Sequence, residues 1–194
     1  MKWWALLLVV HVFYAQQPTS LYLVTRGTAS KLALVAPFNL QDRFASHVGI
    51  GFIEQGRWNV FHVSNEATAN ASALVQTDLD GFTQVPDMIY WALWRTTVDA
   101  AFIDRLKHLL STFEDVGFDF DFDLDSRKLY CSEFCVQLLQ RLDSDQFCFE
   151  PISRRLEPFQ AALLGRTVLH YWPVDFFQIN NRFVLERIGF GPPP

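Results

Sequence analysis

The first half of the chain carries apolar patterns typical of β-strands. Residues 21–24 form a short apolar run, which predicts a first strand. The segment 46–53 (SHVGIGFI) is rich in β-branched residues and glycine, and the segment 58–64 (WNVFHVS) alternates after a turn. Together they predict a hairpin. Residues 88–94 (MIYWALW) are apolar throughout, as expected of a strand covered on both faces.

In the second half the apolar period becomes helical. Over residues 97–113, apolar side chains recur every three or four positions. This spacing predicts a helix, with Asp99 in its first turn complementing the helix dipole. A second helix is predicted over 129–143. Between the two helices, 117–126 (GFDFDFDLDS) is predicted to be a strand-like edge with one wet face. A last strand-like region is predicted over 168–177, so the element order favours one α+β domain.

The N-terminal segment has the layout of a secretory signal peptide. One lysine is followed by an apolar run over 3–13 and then by polar residues, and this run is too short to span a membrane. We therefore predict a signal peptide over 1–17, a single domain over 18–188 and a frayed tail over 189–194. The protein is expected to be exported, periplasmic or secreted, without stable membrane insertion. A buried N-terminal helix or strand is the alternative.

Composition narrows the classes of function. The chain has 194 residues, 50% of them hydrophobic, with 19 phenylalanines, enough for one good core. A formal net charge of −5 with scattered basic residues excludes nucleic acid as a partner. The cysteines, Cys131, Cys135 and Cys148, lack zinc-site spacing, and a Cys135–Cys148 bridge stays open. The aspartates of 119–125 lack the glycine and glutamate of an EF-hand. We predict no metal and no cofactor.

Three residues together predict nucleophilic chemistry. Cys131 lies in the first turn of the second helix, where unpaired N–H groups and the helix dipole favour a thiolate. Its pKa is therefore expected below the ordinary value of about 8.5. His47 begins the glycine-containing strand and is predicted to act as general base, while His62 on the hairpin partner fixes its tautomer. Each residue taken alone is more often a structural one.

The order of five sequence blocks resembles a known family. The blocks are SHVGI, NVFHV, FDFDFDL, KLYCSEF and HYWPVDFF, and the likeness runs from residue 21 to 183. They resemble the permuted papain-like amidases and cysteine peptidases of the YiiX/YaeF type, relatives of the NlpC-type cell-wall hydrolases. The resemblance implies a circularly permuted papain-like (NlpC-like) fold. In that fold an antiparallel sheet packs against helices, and the nucleophile stands at a helix N-terminus.

The resemblance also implies a role for each matching residue. Cys131 corresponds to the nucleophile, His47 to the base and His62 to the third polar residue, with Glu66 as a rival for that place. Two residues flanking the nucleophile, Tyr130 and Ser132, are implied to line the substrate cleft.

Two acidic residues near these blocks are given supporting roles. We predict that Glu133 caps the second helix. Asp175 is predicted to be structural, anchoring the last strand to the site.

The function that follows is a thiol hydrolase cleaving an amide bond through a Cys-His(-His) site and an acyl-enzyme. Its partner would be a peptide or acyl substrate, by resemblance the peptide of a bacterial cell wall. Aromatic residues near Cys131 leave open a thioesterase, a lipid acyl hydrolase or an acyltransferase on the same fold. The third hypothesis is that the chain is a catalytically inactive, exported binding protein. The oligomeric state stays open.

Overall fold

A computed structural model describes residues 18–65 and 72–191 of the chain. The strands are β1 Pro18–Thr28, β2 His47–Glu54, β3 Arg57–Val63, β4 Leu74–Thr77, β5 Met88–Asp99, β6 Ile152–Arg155, β7 Val168–Tyr171 and β8 Val184–Phe190. The helices are α1 Ala29–Val35, α2 Leu79–Thr83, α3 Ala100–Leu110, α4 Cys131–Leu142 and α5 Pro158–Leu164. Within the described part of the chain, no helix is long and apolar enough to cross a bilayer. The predicted signal peptide and Glu66 lie outside the described residues.

Six strands form the main sheet in the order β4-β3-β2-β1-β5-β8, and every neighbouring pair is antiparallel. The predicted hairpin is present as β2 and β3. The sheet is covered on both faces, as the continuous apolar run of β5 predicted. One face packs on α3 and α4 through residues such as Leu21, Ile50 and Leu138. The other packs on α2, around Phe82.

The predicted start of the first long helix is wrong by three residues. β5 continues through Asp99 because it remains paired with β1 as far as Pro18. The Asp99 carboxylate then accepts a hydrogen bond from the backbone N–H of Phe102 at 2.6 Å. Asp99 is therefore the N-cap of α3 rather than a residue of its first turn.

The acidic segment is a loop and not the predicted strand-like edge. The Asp119 carboxylate accepts hydrogen bonds from the backbone N–H groups of Asp121 and Asp123, at 2.9 and 2.6 Å, and Phe122 has a positive φ of 53°. Aspartate side chains that bond nearby backbone amides compete with the strand ladder. They fold this segment back on itself.

The C-terminal predictions also need correction. The region over 168–177 is extended only as β7 and then turns at Pro173 into a short 3₁₀ helix, Phe176–Ile179. The predicted frayed tail begins too early, because Gly189 and Phe190 belong to β8 and pair with β5. A Cβ at position 189 would lie 2.5 Å from the Trp91 ring, so glycine permits this close pairing.

A small second layer lies beside the main sheet. It consists of the antiparallel pair β6–β7 and α5, joined by an apolar cluster that includes Tyr130, Leu169 and Tyr171. Because Tyr130 directly precedes α4, this layer is continuous with the start of that helix.

Candidate active site

The sulfur of Cys131 lies at the head of α4 and beside the start of β2. The backbone N–H groups of Val48 and Ser132 lie near it and act to lower the pKa of the thiol. The β2–β3 ladder ends at the pair Ile50 and Phe61, so Val48 is not paired with β3. Val48 pairs only with Thr25 of β1, so the start of β2, which lies beside the sulfur, is free of β3.

The predicted low pKa of Cys131 is not found. Burial raises the pKa of this thiol above its ordinary value, although the Val48 and Ser132 amides and the charges of Lys31 and Arg26 act the other way. Only 8% of the residue is exposed. The helix dipole favours the thiolate, but desolvation, which depends on the packing of the folded chain, disfavours it. All three cysteines are free, so no Cys135–Cys148 bridge is present.

The two histidines of the hairpin form one buried pair. His47 Nε2 and His62 Nδ1 are 2.8 Å apart, and the rings are nearly perpendicular, at 89°. If His47 Nε2 carries the proton and donates it to His62, then Nδ1 of His47 keeps a lone pair. That tautomer leaves a base nitrogen free for chemistry and gives His62 the predicted orienting role.

Both imidazoles are neutral at neutral pH. Burial lowers the pKa of His47 well below its usual value, and the positive charge of Arg26 lowers it further. Burial and, to a smaller extent, the positive charges of Arg26 and Lys31 lower the pKa of His62 to about 3. A neutral pair can accept a proton but supplies no positive charge to a thiolate.

The sulfur and the histidines both lie near the start of β2, but they face different sides of the sheet. His47 and His62 both contact Phe82, on the face covered by α2, whereas Cys131 belongs to the core under α4. Among the described residues no hydrogen bond joins the sulfur to either imidazole. The shared element is the start of β2, where His47 presents its ring and Val48 its N–H.

Two residues of this site carried no signal in the sequence. Phe82, at the end of α2, stacks on His47 with 5.6 Å between ring centroids and meets His62 edge-on at 5.1 Å. Arg26 of β1 is 3% exposed and lies opposite His47 in the β1–β2 register. Neither belongs to a recognisable motif, and only the pairing of strands brings them to the histidines.

The loop before β2 is fixed by buried polar groups. The Asp175 carboxylate accepts backbone N–H bonds from Leu40, Gln41 and Asp42 at 2.6–2.9 Å. In turn, Asp42 accepts the Tyr90 hydroxyl at 2.7 Å. The predicted structural role of Asp175 is right, but its target differs: it anchors the loop that leads to His47 rather than the last strand.

Tyr130 and Ser132 are buried and do not line an open cleft as predicted. The Tyr130 hydroxyl accepts the backbone N–H of Trp172 at 2.8 Å, and the Ser132 hydroxyl donates to the carbonyl of the same residue at 2.7 Å. Both hydroxyl groups therefore form hydrogen bonds inside the protein. Together they fix Trp172 against the residues on either side of Cys131, which is a positioning role.

Glu133 occupies the third position of α4 and is fully buried. Burial and the Asp119 carboxylate raise its pKa to about 7, while the Tyr130 backbone N–H and the Gln137 amide lower it. One carboxyl oxygen has no hydrogen-bond partner. The carboxyl lies near the Tyr130 backbone, where the predicted cap would be, but its hydrogen bonding is incomplete.

Comparison with known proteins identifies the fold. No protein-family model matches the sequence, and no curated protein matches it. The crystal structure of the metalloprotein yiiX from Escherichia coli O157:H7, of DUF1105, superposes with a TM-score of 0.65 at 14% identity, covering 90% of this chain and 99% of that one. The fold is therefore yiiX-like, with an antiparallel sheet packed against helices.

The name metalloprotein indicates that yiiX binds a metal, but the described residues of the present chain do not form a metal site. No group of three His, Cys, Asp or Glu side chains is arranged to hold an ion in 18–65 and 72–191. His47 Nε2 and His62 Nδ1 bond to each other, so these two nitrogens are not available together as ligands.

Proposed function

We propose that this protein is a cysteine hydrolase that cleaves amide bonds through an acyl-enzyme. Cys131 would be the nucleophile, His47 the base and His62 the residue that orients it. The observations that support the proposal are a buried thiol at the head of α4 and a buried, hydrogen-bonded histidine pair, both beside the start of β2. Buried titratable groups whose pKa values are shifted often cluster at functional sites.

We also propose that the chain belongs to the permuted papain-like class. In papain-like enzymes the nucleophile stands at the head of a helix packed on an antiparallel sheet, and the base stands on a strand. The present chain has a cysteine and a histidine at those places, with the histidine earlier in the sequence. That order supports the permuted form.

The reaction would start from neutral groups. The thiol turns from the Val48 and Ser132 amides toward His47, whose Nδ1 takes its proton as sulfur bonds to the substrate carbonyl carbon. Backbone N–H groups at the head of α4 then hold the oxyanion. Catalytic hydrogen bonds of this kind are often long in a free enzyme and tighten with substrate.

The remaining steps restore the enzyme. The imidazolium of His47 gives its proton to the leaving amine as the carbon–nitrogen bond breaks, which leaves an acyl group on Cys131. Water, deprotonated by His47, attacks that thioester, and the sulfur leaves and regains a proton. His62 holds the His47 ring through both transfers.

A second candidate, hydrolysis or transfer of a lipid acyl chain, is favoured by the surface around the small layer. Phe120, Phe159 and Leu163 are 62%, 79% and 74% exposed. Phe120 contacts Phe118, which packs on the cluster that contains Tyr130. Apolar side chains are therefore displayed on the layer continuous with the nucleophile, and such patches mark binding sites.

One substrate panel separates these readings. Short cell-wall-type peptides and long-chain acyl thioesters would be offered to the wild type, to Cys131→Ser and to the matched control Cys148→Ser. We expect amide cleavage that is lost in Cys131→Ser and kept in Cys148→Ser. Cleavage of thioesters alone would favour the second candidate. No cleavage with an unreactive Cys131 would favour an inactive binding protein.

Export remains part of the proposal. The segment 1–17 has the charge and apolar layout of a signal peptide, which suits a substrate in the cell envelope. Fusion of residues 1–20 to a reporter that is active only outside the cytoplasm tests it. Reporter activity supports export, and a silent reporter with normal expression contradicts it.

A further inference from the structure

The two edges of the main sheet are built differently. At one edge, β4 has four residues, and its two apolar side chains are half-buried. At the other edge, β8 has seven residues, all of them at least partly exposed. Four are large apolar residues, 42–64% exposed: Val184, Leu185, Ile188 and Phe190. An edge strand also presents to solvent the backbone N–H and C=O groups that point away from its neighbour, so a long apolar edge is suited to pair with another strand.

Most of the apolar residues of this edge lie on one face of the sheet. Leu185, Ile188 and Phe190 are each opposite a residue of β5 that packs on the core under α3 and α4. Directly opposite residues share a face, so these three form an apolar row on the α3–α4 side. Phe44 extends the row, because its ring meets that of Phe190 edge-on with 5.4 Å between centroids. The row therefore continues the apolar face of the core as far as the edge of the sheet.

The charged residues of β8 lie on the other face. Arg187 is opposite Leu93, which packs on the α2 side. Glu186 forms an ion pair with Arg95 at 2.8 Å, and Arg95 is two residues beyond Leu93 on β5 and so on the same side. Glu186 has no partner in the β5–β8 register, which shifts at this point. This bulge leaves two adjacent residues of opposite charge, both exposed, on the α2 side.

The pattern of β8 is complementary to itself. Consider a second copy of β8 that pairs antiparallel about a twofold axis perpendicular to the sheet, passing between Glu186 and Arg187. Glu186 of each copy then lies opposite Arg187 of the other, on the α2 side. In the same register Leu185 lies opposite Ile188 of the other copy, on the α3–α4 side. Opposite charges and apolar pairs directly across an antiparallel ladder both stabilise the pairing. The bulges of the two copies meet at the axis, so they fall at the same place in both strands.

We propose that β8 is a self-association surface and that two copies of this chain form an antiparallel β8–β8 dimer in this register. The main sheets of the two copies become one continuous sheet, and the apolar row is buried between them. Such an interface is isologous, since the same strand serves both copies. It is also closed, because each copy is left only with the short β4 as a free edge. The inference does not depend on the proposed function, because no residue of β8 belongs to the candidate active site.

The test is sedimentation velocity of the purified protein over a range of concentrations. We expect wild type to sediment as a dimer with twice the mass of one chain, in concentration-dependent exchange with the monomer. Ile188→Lys places a charge in the apolar row of both copies, and lysine on an edge strand opposes pairing. The dissociation constant should rise at least about tenfold, because two apolar pairs are lost. Gln76→Lys, the same change at an exposed position of β4, is the matched control and should leave it unchanged.

Two charge variants test the register and do not depend on the folding of Ile188→Lys. Arg187→Glu alone places glutamates opposite each other, and Glu186→Arg alone places arginines opposite each other. We expect each variant by itself to be monomeric. Mixed in equal amounts, the two variants place opposite charges in both pairs, so we expect a mixed dimer. Native mass spectrometry distinguishes the mixed dimer from either variant paired with itself.

The outcomes that contradict the proposal are distinct. A wild type that is monomeric at every concentration would mean that another strand, from this chain or from a different protein, covers β8, and it overturns the dimer. A dimer whose dissociation constant is the same in Ile188→Lys places the interface elsewhere and also overturns the proposal. Monomers in the mixture of charge variants, beside a dimeric wild type, overturn the proposed register.

Discussion

The head of α4 is flanked by two buried regions that respond to burial in opposite ways. On the histidine side, the two imidazoles bond to each other and burial lowers their pKa values. On the acidic side, Glu133 leaves one oxygen unbonded and burial raises its pKa to about 7. Each group moves toward its uncharged form. Burial therefore favours the uncharged form on both sides of Cys131.

The two regions give opposite dependences of stability on pH. The histidines have ordinary pKa values of 6.5 and lower ones when folded, so the unfolded chain takes up protons first and stability falls as pH drops below about 6.5. Glu133 has an ordinary pKa of 4.5 and a raised folded one. The folded chain holds that proton longer, so stability falls as pH rises from about 4.5 to about 7.

The largest effect is expected from loss of the base. His47→Ala removes the only imidazole proposed to take the thiol proton, and amide hydrolysis should fall about 10²–10⁴-fold. The measurement is kcat/KM at neutral pH. His108→Ala, on the exposed side of α3, is the control and should be unchanged. Equal rates in wild type and His47→Ala would contradict the proposed base.

A second effect concerns a buried carboxylate that, unlike Glu133, is fully bonded. Asp175→Ala leaves three backbone N–H groups of the loop before β2 without their acceptor. We expect a loss of about 2–3 kcal/mol in the free energy of unfolding, measured by urea denaturation, with the exposed Asp145→Ala as control. A loss no larger than that of the control would show that the loop is held otherwise.

His62→Ala tests whether the histidine side works as a pair. Loss of one orienting hydrogen bond, about 1–1.5 kcal/mol, corresponds to about tenfold in kcat/KM. His62→Gln keeps an acceptor for His47 and should recover most of that loss. If His62→Ala is fully active and Glu66→Ala is not, then Glu66 is the third member.

The smallest effect is expected on the acidic side. Glu133→Gln cannot ionise, so its stability should not fall between about pH 4.5 and about pH 7. At pH 8 the variant should exceed wild type by about 1 kcal/mol, a figure reduced for relaxation around the carboxyl, and at pH 4.5 the two should agree. Urea denaturation at both values measures this, with the exposed Glu114→Gln as control. A gain at pH 4.5 equal to that at pH 8 would mean that ionisation is not its cause.

Local patterns predicted most of the fold, and long-range competition explains the exceptions. β2, β3 and α4 were predicted because period and turn chemistry agree there. The prediction of a strand-like edge over the acidic segment was wrong. Its polar and apolar residues alternate as in a strand, but the Asp119 carboxylate accepts hydrogen bonds from the backbone N–H groups of Asp121 and Asp123, which folds the segment into a loop. The predicted frayed tail was wrong because β8 pairs with β5 where Gly189 lies against Trp91. Residues so far apart in the sequence form no local pattern that could predict this contact.

The sequence predicted several residues of the candidate site but not their pKa values. The hydrogen bond between His47 and His62, expected if their strands pair antiparallel, is present, although the β2–β3 ladder ends before it reaches His47. The pKa of Cys131 could not be predicted, because desolvation depends on packing from α4, β2 and the core together. Arg26 and Phe82 come from separate strands and helices, and no motif links them to the histidines.

The central claim is tested most directly by following acyl transfer to sulfur with an activated ester, using intact-protein and peptide mass spectrometry. Cys148 is exposed and free, so it serves as an internal reference for unassisted thiol reactivity. The account predicts that Cys131, although buried, acquires the acyl group faster than Cys148, and that this advantage disappears in His47→Ala. Acylation of Cys148 alone, or an advantage of Cys131 that survives without His47, would contradict it.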